Sequence, residues 1–587
     1  MRSFVVFISA LMMFVSCDTK KEISGTVLLN HVGYRVDAVK RFVYLGQENI
    51  KPDGFAIFNH NNEEVYKGEF KESNGQIDNW HIGKAFSADF SNLSKAGSYK
   101  IQVSLNGGLI ESDAFTINEL PLADELMPLL LEGFKSQRCK DPYDAKDKEM
   151  TFFGDRDDVV DVSGGWYDAS GEKGKYLSHL SFSNYLTPQQ LPMMVWNILE
   201  TAKQMPNSSI EKSLFEEAAF GADYLIRVQD KEGYFYSTVF ANWTKDPDQR
   251  EIAAYTGQDG KKTDQYQAAF REGGGVSIAA LARISQLNIA GEFDSETYLN
   301  AAIKGFDHLI ANNLKYVDDG KENIIDDYCA LLAAVELFSA TEDKKYLTHA
   351  RQRASNLTNR LMDDERMSNW LRADDEGLRP FFHGAEAGLP IIALNEYYGI
   401  ETDADNKQAT MTAINKMVQF ELNITNEVNN PFGYARQYVK AVNEDEPRSA
   451  FFLPHQNESG YWWQGENARL ASLATALLKV QALLSDELKG EAKAYAANQI
   501  NWILGLNPYN MCMLEGAGRN NPIYKEEGIS YNYRGGVCNG ITAGFEDESD
   551  LGFMPMPYND DPAQRWRWSE QWLQHGGWLM PALAHQQ

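Results

Sequence analysis

The sequence has few basic residues, and no block of lysine or arginine interrupts its acidic character. Its 587 residues include 55 basic and 83 acidic side chains, which gives a formal net charge of −28. Because nucleic-acid binding requires a basic surface that neutralises phosphates, this composition argues against a nucleic-acid partner. A neutral or cationic partner suits the charge better.

Cysteine is also scarce, with five residues in the chain. Cys17 belongs to the N-terminal segment, and the others are Cys139, Cys329, Cys512 and Cys538. They show no C-x-x-C spacing and are too few in so long a chain to predict a disulfide framework or a zinc site. We therefore predict buried free thiols, with a Cys512–Cys538 disulfide as the alternative.

Long apolar runs are missing after the N-terminal segment, MRSFVVFISALMMFVSCDTKK. The run from Phe4 to Val15 is too short for an ordinary membrane-spanning helix and predicts a secretory signal over residues 1–17. Its ending, Phe14 to Cys17, resembles a bacterial lipobox with Phe in place of the usual Leu. This predicts cleavage before Cys17 and a lipid on that cysteine, which would attach the protein to the outer membrane. A secretory signal without a lipid is the alternative.

Several catalytic motifs are absent, while aromatic residues are plentiful. The chain contains no H-E-x-x-H, G-x-S-x-G or phosphate-loop motif, which argues against zinc proteases, serine hydrolases and nucleotide enzymes. Aromatic residues make up 12% of the chain. We expect most of them in large cores and a minority as stacking surfaces for sugar rings or other flat ligands.

Strand-like patterns fill residues 24–118. SYKIQVSL alternates Tyr99, Ile101, Val103 and Leu105 with polar residues, which is typical of a half-buried strand. Short runs such as RFVYLG and FAIFN, separated by turn-forming residues, extend the pattern. We predict an immunoglobulin-like β-sandwich of roughly 90 residues.

Helical periodicity dominates residues 121–587. In VSIAALARISQL, Val276, Ala280, Leu281, Ile284 and Leu287 share one face. The opposite faces of such segments carry Ala and Ser, which indicates helices covered on much of their surface. About ten to twelve of these segments, joined by long loops, predict an all-α domain such as a toroid of paired helices.

The segment SGGWYDASGEKGKY at 163–176 places two carboxylates in a glycine-rich loop. Asp168 and Glu172 can divide the work of holding and deprotonating a water molecule. Gly164, Gly165 and their neighbours permit backbone shapes that would aim both side chains into a cleft. The alternative is a solvated acidic turn.

A second candidate site lies in RWRWSEQWLQHGGWLMPALA near the C-terminus. Glu570 stands among Trp566, Trp568, Trp572 and Trp578. A carboxyl group walled by indoles loses solvation, which raises its pKa and suits it to donate a proton. The alternative is a glutamate at a helix start, covered by packing tryptophans.

Candidate sugar contacts cluster in FFLPHQNESGYWWQGENARL, where His455, Trp462 and Trp463 precede a helix. His383 in HGAEAGLP and Trp166 in the carboxylate loop are further candidates. Indole faces and neutral imidazoles are common in ligand pockets. Each histidine alone is also compatible with a structural hydrogen-bonding role.

These motifs together resemble glycoside hydrolase family 9, whose members include cellulases with an N-terminal immunoglobulin-like module. The resemblance spans nearly the whole mature chain. It implies a multidomain fold, in which the β-sandwich precedes an all-α (α/α)6 toroid, and an inverting mechanism. The segments that carry it are LLNHVGYR near 30, ADFSNLSKAGSYKIQV, AFTI, QRC at 137–139, GGWYDAS at 164–170, FREGGGVSIAALAR from 270 and ILGLNPYN from 503.

The resemblance also implies roles for three carboxyl groups. The family loop has the pattern Asp-Ala-Gly-Asp, in which the first Asp helps to hold the water and the second is the base. Asp168 matches the first, and Glu172 is the candidate for the second, although it comes one residue later and is longer by one methylene. Asp168 as the base, with Glu172 auxiliary, is the alternative. Glu570 matches the family's acid.

One departure from the family affects the substrate. Its endoglucanases typically carry Pro-His-His-Arg after the Leu-Gly-Asn-Pro region, and GAGRNNPIY at 516–524 replaces that segment here. The sugar contacts of that segment therefore do not carry over. The departure is compatible with exo-acting cleavage or with a branched substrate.

The sequence predicts an inverting β-glycoside hydrolase acting on β-1,4-glucosidic bonds of a glucan or a glucan-backbone polysaccharide. Cellulose-like, mixed-linkage and xyloglucan substrates all fit this prediction. We expect no required cofactor and no catalytic metal, and the sequence is compatible with a structural calcium ion. Three alternatives stay open. They are an exo-acting β-glucosidase or β-glucosaminidase, an inactive glycan-binding lipoprotein, and a polysaccharide lyase, which the carboxylate set disfavours.

Overall fold

The computed structural model describes residues 24–586, apart from 48–49, 288, 290, 378, 461, 463–464, 527–528 and 555–560. The predicted signal segment with Cys17 lies outside the described residues, and so does Trp463.

The N-terminal region is a sandwich of two β-sheets. One sheet has the order β1-β3-β6, and the other has the order β2-β9-β7-β4-β5 with β8 beside β7. Tyr99, Ile101, Val103 and Leu105 of β7 point into the core between the sheets, as their alternation predicts. The strands are β1 Gly25–Leu28, β2 Tyr34–Arg35, β3 Arg41–Gly46, β4 Pro52–Asn59, β5 Glu64–Gly68, β6 Lys84–Asp89, β7 Gly97–Leu105, β8 Gly108–Glu111 and β9 Phe115–Asn118.

The three-stranded sheet is apolar on both faces because it packs against the helical region as well as the sandwich core. On β3, Phe42 and Tyr44 face the sandwich core, whereas Val43 between them joins the core of the helical region. Trp80 extends this contact, with its ring centroid 4.6 Å from that of Phe451. The two regions therefore share a buried interface.

The helical region contains fourteen α-helices within the described residues. They are α1 Leu122–Gln137, α2 Tyr143–Asp147, α3 Leu191–Gln204, α4 Glu211–Arg227, α5 Gly274–Ser285, α6 Ser295–Tyr316, α7 Ile324–Thr341, α8 Lys344–Thr358, α9 Leu389–Ile400, α10 Ala404–Asn426, α11 Asn467–Lys479, α12 Asp486–Ile503, α13 Trp566–Ser569 and α14 Leu573–His585.

Short antiparallel strands lie in the loops between these helices. They are β10 Lys175–Tyr176, β11 Thr238–Phe240, β12 Glu251–Ile252, β13 Ala254–Thr256, β14 Lys261–Thr263, β15 Leu361–Asp363, β16 Ser368–Leu371, β17 Gln437–Val439, β18 Arg448–Ala450, β19 Lys525–Glu526, β20 Ile529–Ser530, β21 Thr542–Ala543 and β22 Leu551–Gly552.

Twelve of the helices form a double ring. Helices α3, α5, α7, α9, α11 and α14 pack on one another in that order, and α14 closes the inner ring on α3. Helices α4, α6, α8, α10, α12 and α1 pack outside them. Inner helices such as α5 and α7 are buried on nearly every side, as their alanine-rich faces predict, whereas α6 buries one stripe. The predicted toroid of paired helices is confirmed.

The loops that lead into the inner helices all lie at one end of the ring. Each inner helix follows an outer one, so the inner helices run parallel and their N-termini share an end. The loops before α3, α5, α11 and α14 are the long ones, and they carry most of the short strands. Candidate site residues from distant parts of the sequence meet there.

Two sequence predictions concern membranes and thiols. Within the part of the chain that the structure describes, none of the helices combines the length and apolarity needed to cross a bilayer.

Cys139, Cys329, Cys512 and Cys538 are buried and free, which confirms the predicted thiols. The alternative of a Cys512–Cys538 disulfide is wrong.

Candidate active site

A cavity of about 340 Å³ opens at the end of the ring where the inner helices begin. It contains all three carboxyl groups that the sequence singles out. Its walls are formed by Asp168, Ala169, Gly171, Glu172, His179, Leu180, Pro188, Trp243, Lys245, Gln258, Trp462, Tyr524, Asn539, Trp566, Glu570 and Trp572.

A buried ion network holds the carboxylate loop in place. Lys175 Nζ lies 2.6 Å from Asp147 Oδ2, and Arg250 pairs with both oxygens of the same carboxylate at 2.8 and 2.7 Å. Lys175 Nζ also donates to the carbonyls of Val162 and Gly164. The side chains of Lys175, Asp147 and Arg250 are completely buried. Because a broken buried pair leaves an uncompensated charge, this network fixes where the loop begins and ends.

The glycines of this loop serve two different purposes. Gly164 and Gly165 adopt left-handed backbone with φ of 80° and 71°. At Gly171 the lack of a side chain matters instead, because Glu570 and Tyr524 pack closely against the backbone. A Cβ there would lie 2.5 Å from Glu570 Oε1 and 2.8 Å from the ring of Tyr524. The loop can therefore contact the acid only with glycine at position 171.

Hydrogen bonds join the carboxylate loop to the segment that carries the acid. The backbone N–H of Ser170 donates to the carbonyl of Gln571 at 2.9 Å, and the N–H of Gln571 donates to Ser170 Oγ at 3.1 Å. The N–H of Gly171 donates to Glu570 Oε1 at 3.2 Å. Two parts of the sequence about 400 residues apart thus form one rigid wall.

Asp168 is surrounded by hydrogen-bond donors. Its side chain is 3% exposed, and Trp572 Nε1 donates to its two oxygens at 3.1 and 3.2 Å. The Gln190 amide also donates to Oδ1, and His179 Nδ1 lies 3.4 Å from Oδ2. Donors on both oxygens suit a carboxylate that is held in one position.

Glu172 has an environment suited to a base. Burial raises the pKa of its carboxyl group to about 7; the charge of Asp168 adds to the rise, and His179 opposes it. Its buried Oε2 accepts no hydrogen bond from the described residues. Glu172 lines the cavity, where a carboxylate with a raised pKa can accept a proton from water.

Glu570 has an environment suited to an acid. Its side chain is 8% exposed, and burial raises its pKa well above the ordinary value. The negative charges of Glu172 and Asp168 raise that pKa further, while the Gly171 N–H and Lys245 oppose them. A raised pKa suits Glu570 to keep its proton and donate it into the cavity.

The tryptophans near Glu570 fall into two pairs. Trp566 and Trp572 line the cavity, as the sequence interpretation requires. Trp568 and Trp578 are completely buried instead. The alternative prediction, in which these tryptophans pack in the core, therefore holds for Trp568 and Trp578 but not for Trp566 and Trp572.

Two predicted sugar contacts are contradicted by the structure. Trp166 is completely buried and donates its indole N–H to Glu217 Oε1 at 2.8 Å, because its loop folds beneath α4. His383 is also completely buried, and its Nδ1 accepts hydrogen bonds from the backbone N–H groups of Ala385 and Glu386. Both residues hold loops in place and do not line the cavity.

The other predicted contacts have different outcomes. Trp462 lines the cavity. His455 is half-buried outside the cavity lining, where its backbone N–H donates to Glu548 Oε2 at 2.7 Å. Trp463 lies outside the described residues.

Several cavity residues lie outside the sequence-based selection, among them His179, Trp243, Lys245, Tyr524 and Asn539. Trp243 is the most conspicuous, since it is 37% exposed and has left-handed backbone with φ of 51°. A large exposed side chain on such backbone is a signal of function in a structure. Its sequence context, ANWTK, carries no comparable signal.

The observed donor set gives no support for calcium at the carboxylates. Asp168, Glu172 and His179 offer two carboxylates and one imidazole, whereas calcium takes six to eight oxygen ligands. The predicted structural calcium stays a prediction.

A cavity that brings together a buried glutamic acid, two further carboxyl groups and indole walls fits the class of glycan-cleaving hydrolases. The profile described as glycosyl hydrolase family 9 matches residues 125–532, and the profile of the cellulase N-terminal Ig-like domain matches residues 22–107. The chain therefore belongs to glycosyl hydrolase family 9.

The chain is also similar in sequence to a cellodextrinase and in structure to two endoglucanases. A cellodextrinase from Butyrivibrio fibrisolvens is 30% identical over 161 residues, which is 26% of this chain and 27% of that protein. A metagenome-derived family 9 endoglucanase has a similar structure, with a TM-score of 0.65 and 18% identity over 96% of this chain and 98% of its own. A thermostable endoglucanase from Alicyclobacillus acidocaldarius also has a similar structure, with a TM-score of 0.64 and 16% identity. The match covers 96% of this chain and 99% of that one. At these identities the two structures show a shared fold.

Proposed function

We propose that the protein is an inverting β-glycoside hydrolase that cleaves β-1,4-glucosidic bonds in a glucan or a glucan-backbone polysaccharide. The observation that carries the proposal is one cavity that contains Glu570, whose pKa burial raises well above the ordinary value, together with Asp168 and Glu172. Hydrolysis with inversion needs an acid for the departing oxygen and a carboxylate base for water.

The environments of the three groups support the following steps. Glu570 gives its proton to the glycosidic oxygen as the bond from that oxygen to the anomeric carbon breaks. A water held by Asp168 and Glu172 attacks the anomeric carbon from the opposite face of the ring, and its proton passes to Glu172. Asp168, held by Trp572 and Gln190, keeps the water oriented.

The cavity walls support a sugar substrate. Trp243, Trp462, Trp566 and Trp572 present indole surfaces, and the apolar faces of pyranose rings pack on such rings. The endoglucanase and cellodextrinase names of similar proteins support a β-1,4-glucan.

A second candidate is an exo-acting β-glucosidase or β-glucosaminidase that acts on oligosaccharide ends. It is supported by the cavity volume of about 340 Å³, which is near the lower limit for small-molecule pockets. The carboxyl groups of the cavity would also suit a cationic aminosugar.

Digestion of a panel of defined oligosaccharides tests the proposal. We expect β-1,4-glucan oligosaccharides to be cleaved, and the Glu570→Gln variant to retain binding but lose turnover. Release of only terminal monosaccharides would establish the exo-acting candidate. Sugar binding by the wild-type protein without cleavage of any glycan would contradict both and establish a binding protein.

We also propose attachment to the outer membrane through a lipid on Cys17, supported by the similarity of residues 14–17 to a lipobox. Expression in a Gram-negative host with labelled palmitate tests this. The wild-type chain should carry label in the outer-membrane fraction, and Cys17→Ala should not. An unlabelled, soluble wild-type chain would establish a secretory signal without a lipid.

A further inference from the structure

His179 belongs to the carboxylate group, although no motif includes it. Single ligand-type atoms of Asp168, Glu172 and His179 all lie within 4.8 Å of one another. His179 Nδ1 is 3.4 Å from Asp168 Oδ2. An imidazole therefore stands beside both candidate water-holding carboxylates.

The loop that contains the extra residue closes a turn between the two carboxylates. The backbone N–H of Glu172 donates to the carbonyl of Ala169 at 3.1 Å, which closes a turn after Asp168. Strand β10 then carries the chain to His179, whose side chain is 21% exposed at the cavity wall. Asp168 and Glu172 thus approach each other on the side where the imidazole lies.

The imidazole ring is fixed by two tyrosines. Its centroid lies 4.6 Å from the Tyr176 ring and 5.8 Å from the Tyr255 ring. The Tyr255 hydroxyl donates to the backbone carbonyl of His179. Burial raises the pKa of both phenols well above the ordinary value, so these neighbours stay neutral.

The charged neighbours of His179 favour its protonated form. Burial lowers the pKa of the imidazole, but Asp168 and Glu172 outweigh burial and raise it above the ordinary value. Glu570, Lys245 and Tyr524 are the other charged or titratable groups that line the cavity. Two carboxylates this close repel each other, and without a nearby cation one of them would take up a proton.

We propose that His179 is a positioning residue of the hydrolytic site, whose imidazolium pairs with Asp168 and lies beside Glu172 so that both carboxylates hold the attacking water. This inference rests on the proposed function. In the reaction the water proton passes to Glu172 and the Glu570 proton passes to the leaving oxygen. His179 keeps its proton throughout.

The pH dependence of His179→Asn tests this role. Loss of the cation makes Glu172 keep its proton to higher pH, so the acidic limb of kcat/KM should move up by about one pH unit or more. Activity on the acidic limb should fall about tenfold, and the difference should shrink as the pH rises. His60→Asn, on an exposed turn of the β-sandwich, should match the wild type. An equal fractional loss at every pH would overturn the proposal, because a purely structural role predicts it.

A titration followed by NMR provides a readout that needs no turnover. The chain has ten histidines, and the spectrum of His179→Asn identifies the signal of His179 in the wild-type protein. We expect this imidazole to titrate above its ordinary pKa and to shift downward in Glu172→Gln. A pKa at or below the ordinary value that does not respond to Glu172→Gln would overturn the proposal. If these NMR results hold while no glycan is cleaved, the positioning arrangement stands and the proposed hydrolysis fails.

Discussion

The backbone N–H of Gly171 donates a hydrogen bond to Oε1 of Glu570, 399 residues further along the chain, at 3.2 Å. This contact joins the loop that carries Asp168 and Glu172 to the segment that carries Glu570. It therefore sets the position of the proposed acid relative to the two carboxylates that we propose hold the water.

Gly171→Ala should displace the acid without unfolding the protein. The added Cβ would lie 2.5 Å from Glu570 Oε1 and 2.8 Å from the Tyr524 ring, so the Glu570 carboxyl group must move. We expect kcat to fall by about 100-fold, since small misplacements of catalytic groups cost this much. Gly399→Ala is the control, because its added Cβ would meet no atom within 4 Å. Full activity in Gly171→Ala would show that this contact does not position the acid.

Glu570→Gln should remove the proton donor while the cavity keeps its shape. We expect a loss of about 10²–10⁴ in kcat on natural oligosaccharides, which is the usual contribution of general acid catalysis. A dinitrophenyl glycoside has a leaving group that needs no protonation, so its hydrolysis should fall much less. Equal losses on both substrates would assign Glu570 a role other than proton donor.

The pH profile of kcat/KM should be bell-shaped, with its acidic limb near pH 7. Glu172 must lose its proton to act as the base, and burial raises its pKa to about 7. Glu570 must keep its proton, and its pKa lies well above the ordinary value. Activity therefore rises through neutrality and falls at higher pH, when Glu570 ionises. Maximal activity near pH 4–5 would contradict these assignments.

Asp147→Asn should destabilise the protein through the carboxylate loop. The change leaves the buried charges of Lys175 and Arg250 without their carboxylate, and removing one partner of a buried ion pair costs about 3–5 kcal/mol. Denaturant unfolding should show a lower midpoint than the wild type. Asp486→Asn, in a solvent-exposed pair with Lys489, should leave the midpoint unchanged. Equal midpoints for the two variants would mean that the network does not stabilise the fold.

Much of the fold could be predicted because its local patterns match its burial. The alternation Tyr99, Ile101, Val103 and Leu105 faces one core, and the alanine-rich helices form the inner ring. Asp168, Glu172 and Glu570 could be selected because their surrounding motifs are specific. These three residues line one cavity because hydrogen bonds join the loop of Asp168 and Glu172 to the segment of Glu570.

The remaining site could not be predicted because burial in loops depends on the tertiary fold. Trp166 stands in a glycine-rich loop that suggests exposure, yet Glu217 on α4 accepts its indole N–H in the core. Trp243 belongs to no recognisable motif, and its sequence does not reveal its left-handed backbone or its exposed position at the cavity. His179 lies 3.4 Å from Asp168 in the fold, beyond a turn that the sequence does not reveal.

The anomeric configuration of the first product tests the central claim most directly. Proton NMR of a fresh digest of a defined β-1,4-glucan oligosaccharide distinguishes the two anomers before they equilibrate. If Glu570 protonates the leaving oxygen while Asp168 and Glu172 direct a water at the opposite face, the α-anomer should accumulate first. Initial accumulation of the β-anomer would contradict the account, because it requires a covalent intermediate on one of these carboxylates.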